Sequence, residues 1–81
     1  MAILSDHAAT RIAEQGIPKA WVDATLAQPD WSEPDPIPGR TRYYRAIVER
    51  GNRVLRVVLE GHIVITAHFD RDARRRRPSH V

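Results

Sequence analysis

Three β-rich runs with alternating side chains follow one another in the second half of the chain, and this pattern constrains the fold most strongly. They span residues 40–50, 53–60 and 62–69. Gly51-Asn52 separates the first two runs and is a two-residue hairpin signal, while Gly61 marks a second tight turn. Because such short turns join antiparallel neighbours, the runs predict an antiparallel meander sheet.

Alternation assigns the faces of this sheet, since successive side chains of a strand point to opposite sides. The row expected to pack on helices consists of Leu55, Val57, Leu59, Ile63, Ile65, Ala67 and Phe69. The opposite row mixes valines with polar residues such as Arg56 and His68, so it is too polar for a simple core. In the first run Arg42 and Tyr44 share one face and Tyr43 and Arg45 share the other. The sequence does not decide which of these two faces is exposed.

Two short helices are predicted before the sheet. Ser5 is a suitable N-cap for a helix over residues 6–15, which Gly16 would end. A second helix is expected over residues 18–27, where Pro18 suits the first turn and Pro29 stops the helix.

Four prolines lie between residues 29 and 39, so this segment offers at most a short edge strand, over residues 31–33, before a stiff loop. The chain is therefore predicted to be a single α+β domain over residues 1–81. Two N-terminal helices would pack on a three- to four-stranded antiparallel meander sheet, and residues 70–81 would form a basic tail.

Length and composition exclude several classes of function. A chain of 81 residues has only a small core, so pairing with a partner chain would add useful stability. There is no cysteine for a disulfide, a zinc thiolate or a thiol nucleophile.

His62 and His68 would lie roughly 20 Å apart on a strand, too far to share an ion, so we expect no metal and no cofactor. Without a long apolar run or a signal-like start, we expect a cytoplasmic protein that does not enter membranes.

The net charge of +3 hides a strong asymmetry. The first 39 residues carry two basic and six acidic residues, a net charge of −4, whereas residues 40–81 carry eleven arginines and four acidic residues, a net charge of +7. Arginine suits bidentate contacts with phosphate. The asymmetry indicates RNA or an acidic protein as partner. A solvated arginine-rich surface that reflects coding bias is the simpler alternative.

Arg42, Tyr43 or Tyr44, Arg56 and His68 form the best candidate catalytic group, because RNA cleavage needs no metal. A base removes the 2′-hydroxyl proton, an acid protonates the leaving 5′-oxygen, and a cation stabilises the phosphorane. In the alternative interpretation the tyrosine is half-buried, Arg56 pairs with Glu60 or Glu49, and His68 only caps the sheet. His7 and Arg11 share a helix face and are interpreted as a brace against the sheet.

The arginines at the ends of the sheet segment are candidate RNA contacts. They would bind electrostatically either to the RNA backbone or to the ribosome. They are Arg40, Arg71, Arg74, Arg75, Arg76 and Arg77. A disordered tail is the alternative for the last five of them.

Several short patterns, taken in order, resemble a known family. They are His7-x3-Arg11 with Gly16-Ile17, Gln28-Pro29-Asp30, Gly39-Arg40-x-Arg42-Tyr43-Tyr44, Arg53-x-Leu55-Arg56-Val57-Val58, and Ile63-Val64-Ile65-Thr66-Ala67-His68. From about Leu4 to Arg74 the chain resembles a small bacterial family grouped with RelE/ParE-like toxins, and it is similar to BrnT-type toxins as well. The resemblance implies that family's fold of two helices followed by antiparallel strands.

The resemblance also implies a function. It suggests the toxin of a type II toxin-antitoxin pair, a metal-independent endoribonuclease that a cognate antitoxin blocks. The positions that match the superfamily's functional face are Arg42, Tyr44, Arg56 and His68, with a contribution from the C-terminus. Lysines are almost absent and no fixed catalytic triad can be mapped. A non-catalytic basic module that binds RNA or an acidic protein is therefore the second hypothesis, and a second copy of the chain is a further candidate partner.

Overall fold

The structure, a computed structural model, describes residues 2–73 and contains two helices and a five-stranded mixed sheet in this part of the chain. In chain order the elements are β1 (Ile3–Leu4), α1 (Asp6–Glu14), α2 (Lys19–Ala27), β2 (Trp31–Pro34), β3 (Arg40–Ile47), β4 (Arg53–Glu60) and β5 (Ile63–Phe69). The α+β class and the two helices before the antiparallel strands β2 to β5 are confirmed. Each helix has nine residues, and no helix of the described range is long and apolar enough to cross a membrane.

The strand order is β1-β5-β4-β3-β2. Strands β2 to β5 form the predicted antiparallel meander, but β1 adds a fifth strand that runs parallel to β5. The predicted sheet of three or four antiparallel strands is thus corrected to five mixed strands. Ile3 and Leu4 carry no periodic signal, because a strand of two residues is defined only by the neighbour with which it pairs.

The connection between β3 and β4 is longer than predicted. Strand β3 ends at Ile47 rather than at residue 50, and a 3-10 turn over Val48–Arg50 precedes Gly51 and Asn52. Both of these residues adopt a left-handed conformation with φ of 64°, which the Gly-Asn pair tolerates. The amide of Asn52 donates to the Ile47 carbonyl at 2.9 Å and closes the loop.

Ser5 caps α1 as predicted and also attaches the helix to the sheet. Its Oγ accepts a hydrogen bond from the Ala8 amide at 3.1 Å and donates to the Ile65 carbonyl at 3.1 Å. One hydroxyl therefore satisfies a free N–H at the helix start and a carbonyl at the edge of β5. This contact fixes α1 against β5.

The main core lies between the helices and one sheet face. Its buried members are Ala8, Ile12, Ile17, Val22, Ile47, Leu55, Val57, Val64 and Ala67. The predicted inward row of β5 is wrong in its first half, because Val64 lies in this core whereas Ile63 is 44% exposed. The reason is a β-bulge: Val58 pairs with Thr66 but Leu59 pairs with Val64, so Ile65 is an extra residue that inverts the alternation.

A second, smaller cluster lies on the opposite sheet face and consists of Trp31, Tyr44, Val54 and Ala73. The rings of Trp31 and Tyr44 stack with a centroid separation of 4.6 Å and an interplanar angle of 6°. This stack decides the orientation of β3 that the sequence left open. Tyr44 faces away from the helices, and Ile47 faces them.

The central strand supplies a direct test of the main core. Val57→Ala should lower the free energy of unfolding by about 2 kcal/mol, because two methyl groups of a side chain that is 0% exposed are lost and a cavity remains. The matched control is Val48→Ala, at a side chain that is 76% exposed, with an expected change within about 0.5 kcal/mol. Urea unfolding measures both. Equal losses in the two variants would contradict the assigned faces.

Candidate functional site: a basic cleft on the outer sheet face

The register of the sheet places the predicted catalytic residues side by side on the outer face, the face that points away from the helices. Tyr44 pairs with Arg56, and Arg56 pairs with His68 on the next strand. Cross-strand partners of this kind have Cβ atoms about 5 Å apart. Arg42 lies two residues before Tyr44 on the same strand and therefore faces the same side. All four residues are thus brought together.

Arg56 and His68 are in direct contact, with 2.7 Å between the Arg56 Nη2 atom and the His68 Nε2 atom. A guanidinium donates only, so Nε2 must be the acceptor and the ring proton must lie on Nδ1. Burial lowers the pKa of His68, and the positive charges of Arg56, Arg11 and Arg42 lower it further, against the opposing charge of Asp70. His68 is therefore held as a neutral base.

Asp70 holds the other side of the Arg56 guanidinium, with 3.4 Å between its Oδ2 and Arg56 Nη1. The Asp70 amide in turn donates to the Val54 carbonyl at 2.9 Å, which fixes the segment after β5 on the start of β4. The alternative pairing of Arg56 with Glu60 or Glu49 is not what the structure shows. Asp70 was not predicted as the partner of Arg56. It lies two residues after His68, and in an extended chain two such side chains point to the same side.

Arg42 anchors the proline-rich loop between β2 and β3. Its Nε donates to Asp35 Oδ1 at 2.8 Å, and its Nη1 lies 3.5 Å from Glu33 Oε2. Asp35 also accepts the Ile37 amide at 2.9 Å. This backbone hydrogen bond and the Arg42 guanidinium hold the pKa of Asp35 below its ordinary value. The loop is thereby bent back over the sheet and forms the wall of a cleft.

The cleft has a volume of about 290 Å³ and combines cationic and apolar walls. It is lined by Asp35, Pro36, Ile37, Arg40, Arg42, Arg56, Val58, Ile65 and Thr66. The side chain of Ile37 is 50% exposed at its mouth. Arginines beside aliphatic side chains suit a ligand that carries both an anionic group and a flat apolar ring, as a nucleotide does.

Tyr44 is placed differently from the other three residues. It is 1% exposed, belongs to the second cluster, and donates its hydroxyl to Glu33 Oε2 at 3.0 Å. Glu33 in turn faces the Arg42 guanidinium. The phenol is therefore connected to the cleft through Glu33 and Arg42, and its predicted role in proton transfer stays a prediction.

Arg11 on α1 acts on the site through its charge, whereas its spacing with His7 predicted only a brace against the sheet. Its charge lowers the pKa of His68, and its buried Nε has no hydrogen-bond partner within residues 2–73. The same holds for Arg56 Nε and His68 Nδ1. Three buried nitrogens in or near the Arg56–His68 pair thus retain unused hydrogen-bonding capacity, which suits an anionic ligand. No sequence pattern distinguishes Arg11 from an ordinary helix-surface arginine.

Of the six predicted RNA-contacting arginines, the structure describes Arg40 and Arg71. Arg40 lines the cleft and forms an ion pair with Glu60 at 2.9 Å, while Arg71 is exposed just after β5. The run from Arg74 to Arg77 lies outside the described residues. Within residues 2–73 no three histidine, aspartate or glutamate side chains group in a way that could hold a metal ion.

The lowered pKa of His68 predicts a pH-dependent stability. The unfolded chain takes up the imidazole proton near the ordinary pKa of 6.5, whereas the folded protein takes it up only at lower pH. In this window the unfolded state binds more protons, so the free energy of unfolding should fall as the pH is lowered below about 6.5. His68→Gln should reduce this fall, and His62→Gln, at an exposed histidine before β5, is the control. Urea unfolding at several pH values measures it, and identical profiles for parent and His68→Gln would contradict a neutral, half-buried imidazole.

Comparison with known proteins gives one family. Residues 4–70 match the family described as Domain of unknown function (DUF4258), and this range includes both helices, the outer face and the Arg56–His68–Asp70 group. No curated protein and no solved structure shows a significant match to the chain. Since the match covers most of its length, the chain belongs to the DUF4258 family.

Proposed function

We propose that the cleft binds and cuts single-stranded RNA without a metal ion, and that the protein is a RelE/ParE-like toxin of a type II toxin-antitoxin pair. The observation that carries this proposal is the neutral His68 imidazole in contact with the Arg56 guanidinium at 2.7 Å, beside a cleft with further arginines. A neutral base next to a fixed cation is the combination that attack of a 2′-hydroxyl on the adjacent phosphate requires.

In the proposed reaction the RNA phosphate competes with His68 for the Arg56 N–H groups, because a charged acceptor forms the stronger hydrogen bond. Nε2 of His68 is then released and takes the proton of the 2′-hydroxyl. The 2′-oxygen attacks phosphorus, the bond to the 5′-oxygen breaks, and a cyclic phosphate is formed. The imidazolium returns its proton to the departing 5′-oxygen, and Arg56 stabilises the charge of the phosphorane.

Arg42 supplies a second positive charge in the cleft and holds its wall in place through Asp35. We assign Tyr44 as a positioning residue that acts through Glu33, since its hydroxyl is hydrogen-bonded there and its ring is stacked on Trp31. The proposal places the protein in the cytoplasm, where it would meet both its RNA target and an antitoxin partner. An acidic antitoxin segment would complement the arginines that the substrate uses.

A non-catalytic binding module is the second candidate, and one observation favours it. Each of the cleft arginines Arg40, Arg42 and Arg56 already faces a carboxylate, respectively Glu60, Asp35 and Asp70. These carboxylates reduce the positive potential that an RNA phosphate would meet. An acidic protein segment would replace them in the same geometry without any chemical step.

The proposed reaction predicts that His68→Gln and Arg56→Gln each lower the rate of RNA cleavage by about 100-fold or more, the usual contribution of a general base or a charge-stabilising group. His62→Gln is the matched control and should cut like the parent protein, because its side chain is exposed outside the cleft. The measurement is single-turnover cleavage of end-labelled RNA in the presence of a metal chelator. Thermal unfolding of each variant shows whether it is folded.

Two results would overturn this proposal in different ways. Cleavage by the parent that persists undiminished in both folded variants would remove the site assignment. A folded parent protein that leaves RNA intact, both in the test tube and after expression in a bacterial host, would remove the catalytic function and leave the binding module.

Tyr44→Phe separates a positioning role from a direct chemical role. The substitution keeps the stacked ring and removes only the hydroxyl bonded to Glu33. We expect a loss of about 1 kcal/mol in the free energy of unfolding, the usual value of one hydrogen bond. The cleavage rate should stay within about threefold of the parent, a small change in transition-state free energy. A loss comparable to that of His68→Gln would assign the phenol to the proton transfer itself.

A further inference from the structure

A second concentration of positive charge lies at the end of the sheet where β4 begins and β5 ends. It consists of Arg50 in the 3-10 turn, Arg53 at the start of β4, and Arg71 just after β5, and we call these three residues the basic end. Unlike the cleft arginines, none of them forms an ion pair with a carboxylate of residues 2–73. Their charge is therefore available to a ligand.

Aromatic rings hold two of these guanidinium groups in place. The Arg53 guanidinium carbon lies 4.7 Å from the centroid of Phe69, and that of Arg50 lies 5.3 Å from Trp21 and 5.7 Å from Phe69. Arg50 also donates to the Gly16 carbonyl at 2.9 Å. A guanidinium stacked by its face keeps N–H groups at its edge that can donate to phosphate oxygens.

The basic end adjoins the candidate catalytic group at the end of the sheet, although Arg53 and Phe69 lie on the helix side and Arg56 and His68 lie on the outer face. A shallow cleft of about 220 Å³ lies between the β3–β4 turn and the segment after β5, lined by Gly51, Arg53, Val54, Asp70 and Arg71. Asp70 also contacts the Arg56 guanidinium through its carboxylate. A chain of phosphates that leaves Arg56 and His68 in this direction would turn around the end of the sheet to reach Arg53 and Arg71.

We propose that the basic end is a second RNA subsite that binds the phosphate backbone outside the nucleotide that is cut. The nature of the ligand rests on the proposed function. The site itself rests on a cleft lined by Arg53, whose guanidinium lies over Phe69, and by Arg71, neither of which forms an ion pair with a carboxylate of residues 2–73. Since guanidinium groups here would contact phosphates and no base edge, binding is independent of sequence and strongly dependent on salt.

The test compares the parent protein with the double variant Arg53→Gln/Arg71→Gln. The ligand is a fluorescent 20-nucleotide single strand with 2′-deoxy sugars, which cannot be cut by 2′-hydroxyl attack. Binding is measured at several salt concentrations. With about 0.7 counterions released per phosphate contact, two lost contacts reduce the slope of log K against log salt by about 1.4. Over one decade of salt concentration, from 1 M down to 0.1 M, this difference in slope makes the binding of the double variant about 25-fold weaker than that of the parent.

Lys19→Gln is the control for loss of positive charge, because this lysine lies on α2 and already faces Asp23 at 3.5 Å. It should leave the slope at the parent value. A double variant that is folded and binds with the parent's slope would overturn the second subsite, and so would a parent protein that does not bind the strand at low salt.

RNA cleavage is measured with the same proteins, so that a failure of the second subsite can be told apart from a failure of the proposed nuclease function. A parent protein that never cuts RNA but loses affinity in the double variant supports the subsite and removes the nuclease. A parent that cuts RNA, with a double variant that cuts and binds like the parent, supports the nuclease and removes the subsite.

Discussion

The burial of β4 on both of its faces is the constraint on which the rest of the structure depends. Leu55 and Val57 lie in the main core under the helices, while Val54 and Val58 are buried on the outer face. A slip by one residue would exchange the two faces of the strand and turn Arg56 into the main core under the helices. The register of β4 therefore fixes the positions of β3 and β5. It also places Arg56 between two buried valines, where an arginine needs partners.

The partners of Arg56 explain why the candidate site has its particular chemistry. A guanidinium with restricted access to water is costly unless its donors are satisfied, and here His68 accepts on one side while Asp70 lies on the other. The contact between Arg56 and His68 thus gives the guanidinium a hydrogen-bond acceptor and also sets the protonation state of His68 on which the proposed function depends. Burial and the charge of Arg56 lower the pKa of His68 and keep it in its neutral form, and the added charge of Arg11 from α1 strengthens this effect.

Two groups of arginines differ in how they are held. In the cleft, Arg42 is held by Asp35 and thereby supports the loop wall, so its charge is partly neutralised. At the basic end, Arg53 is held by the ring of Phe69 and forms no ion pair with a carboxylate of residues 2–73. Carboxylate-held arginines give precise geometry at the proposed reaction site, whereas aromatic-held arginines give long-range attraction for the anionic chain.

Local signals in the sequence determined the α+β class, the Ser5 cap, and the outward placement of Arg56 and His68, because caps and strand alternation depend only on near neighbours in the chain. Tertiary structure alone decided the pairing of β1, the bulge at Ile65, the stacking that buries Tyr44, and the choice of Asp70 as the partner of Arg56. Each of these depends on contacts between segments distant in sequence or on the final register of the sheet. Such contacts exist only when the whole sheet has formed, so no local pattern of residues encodes them.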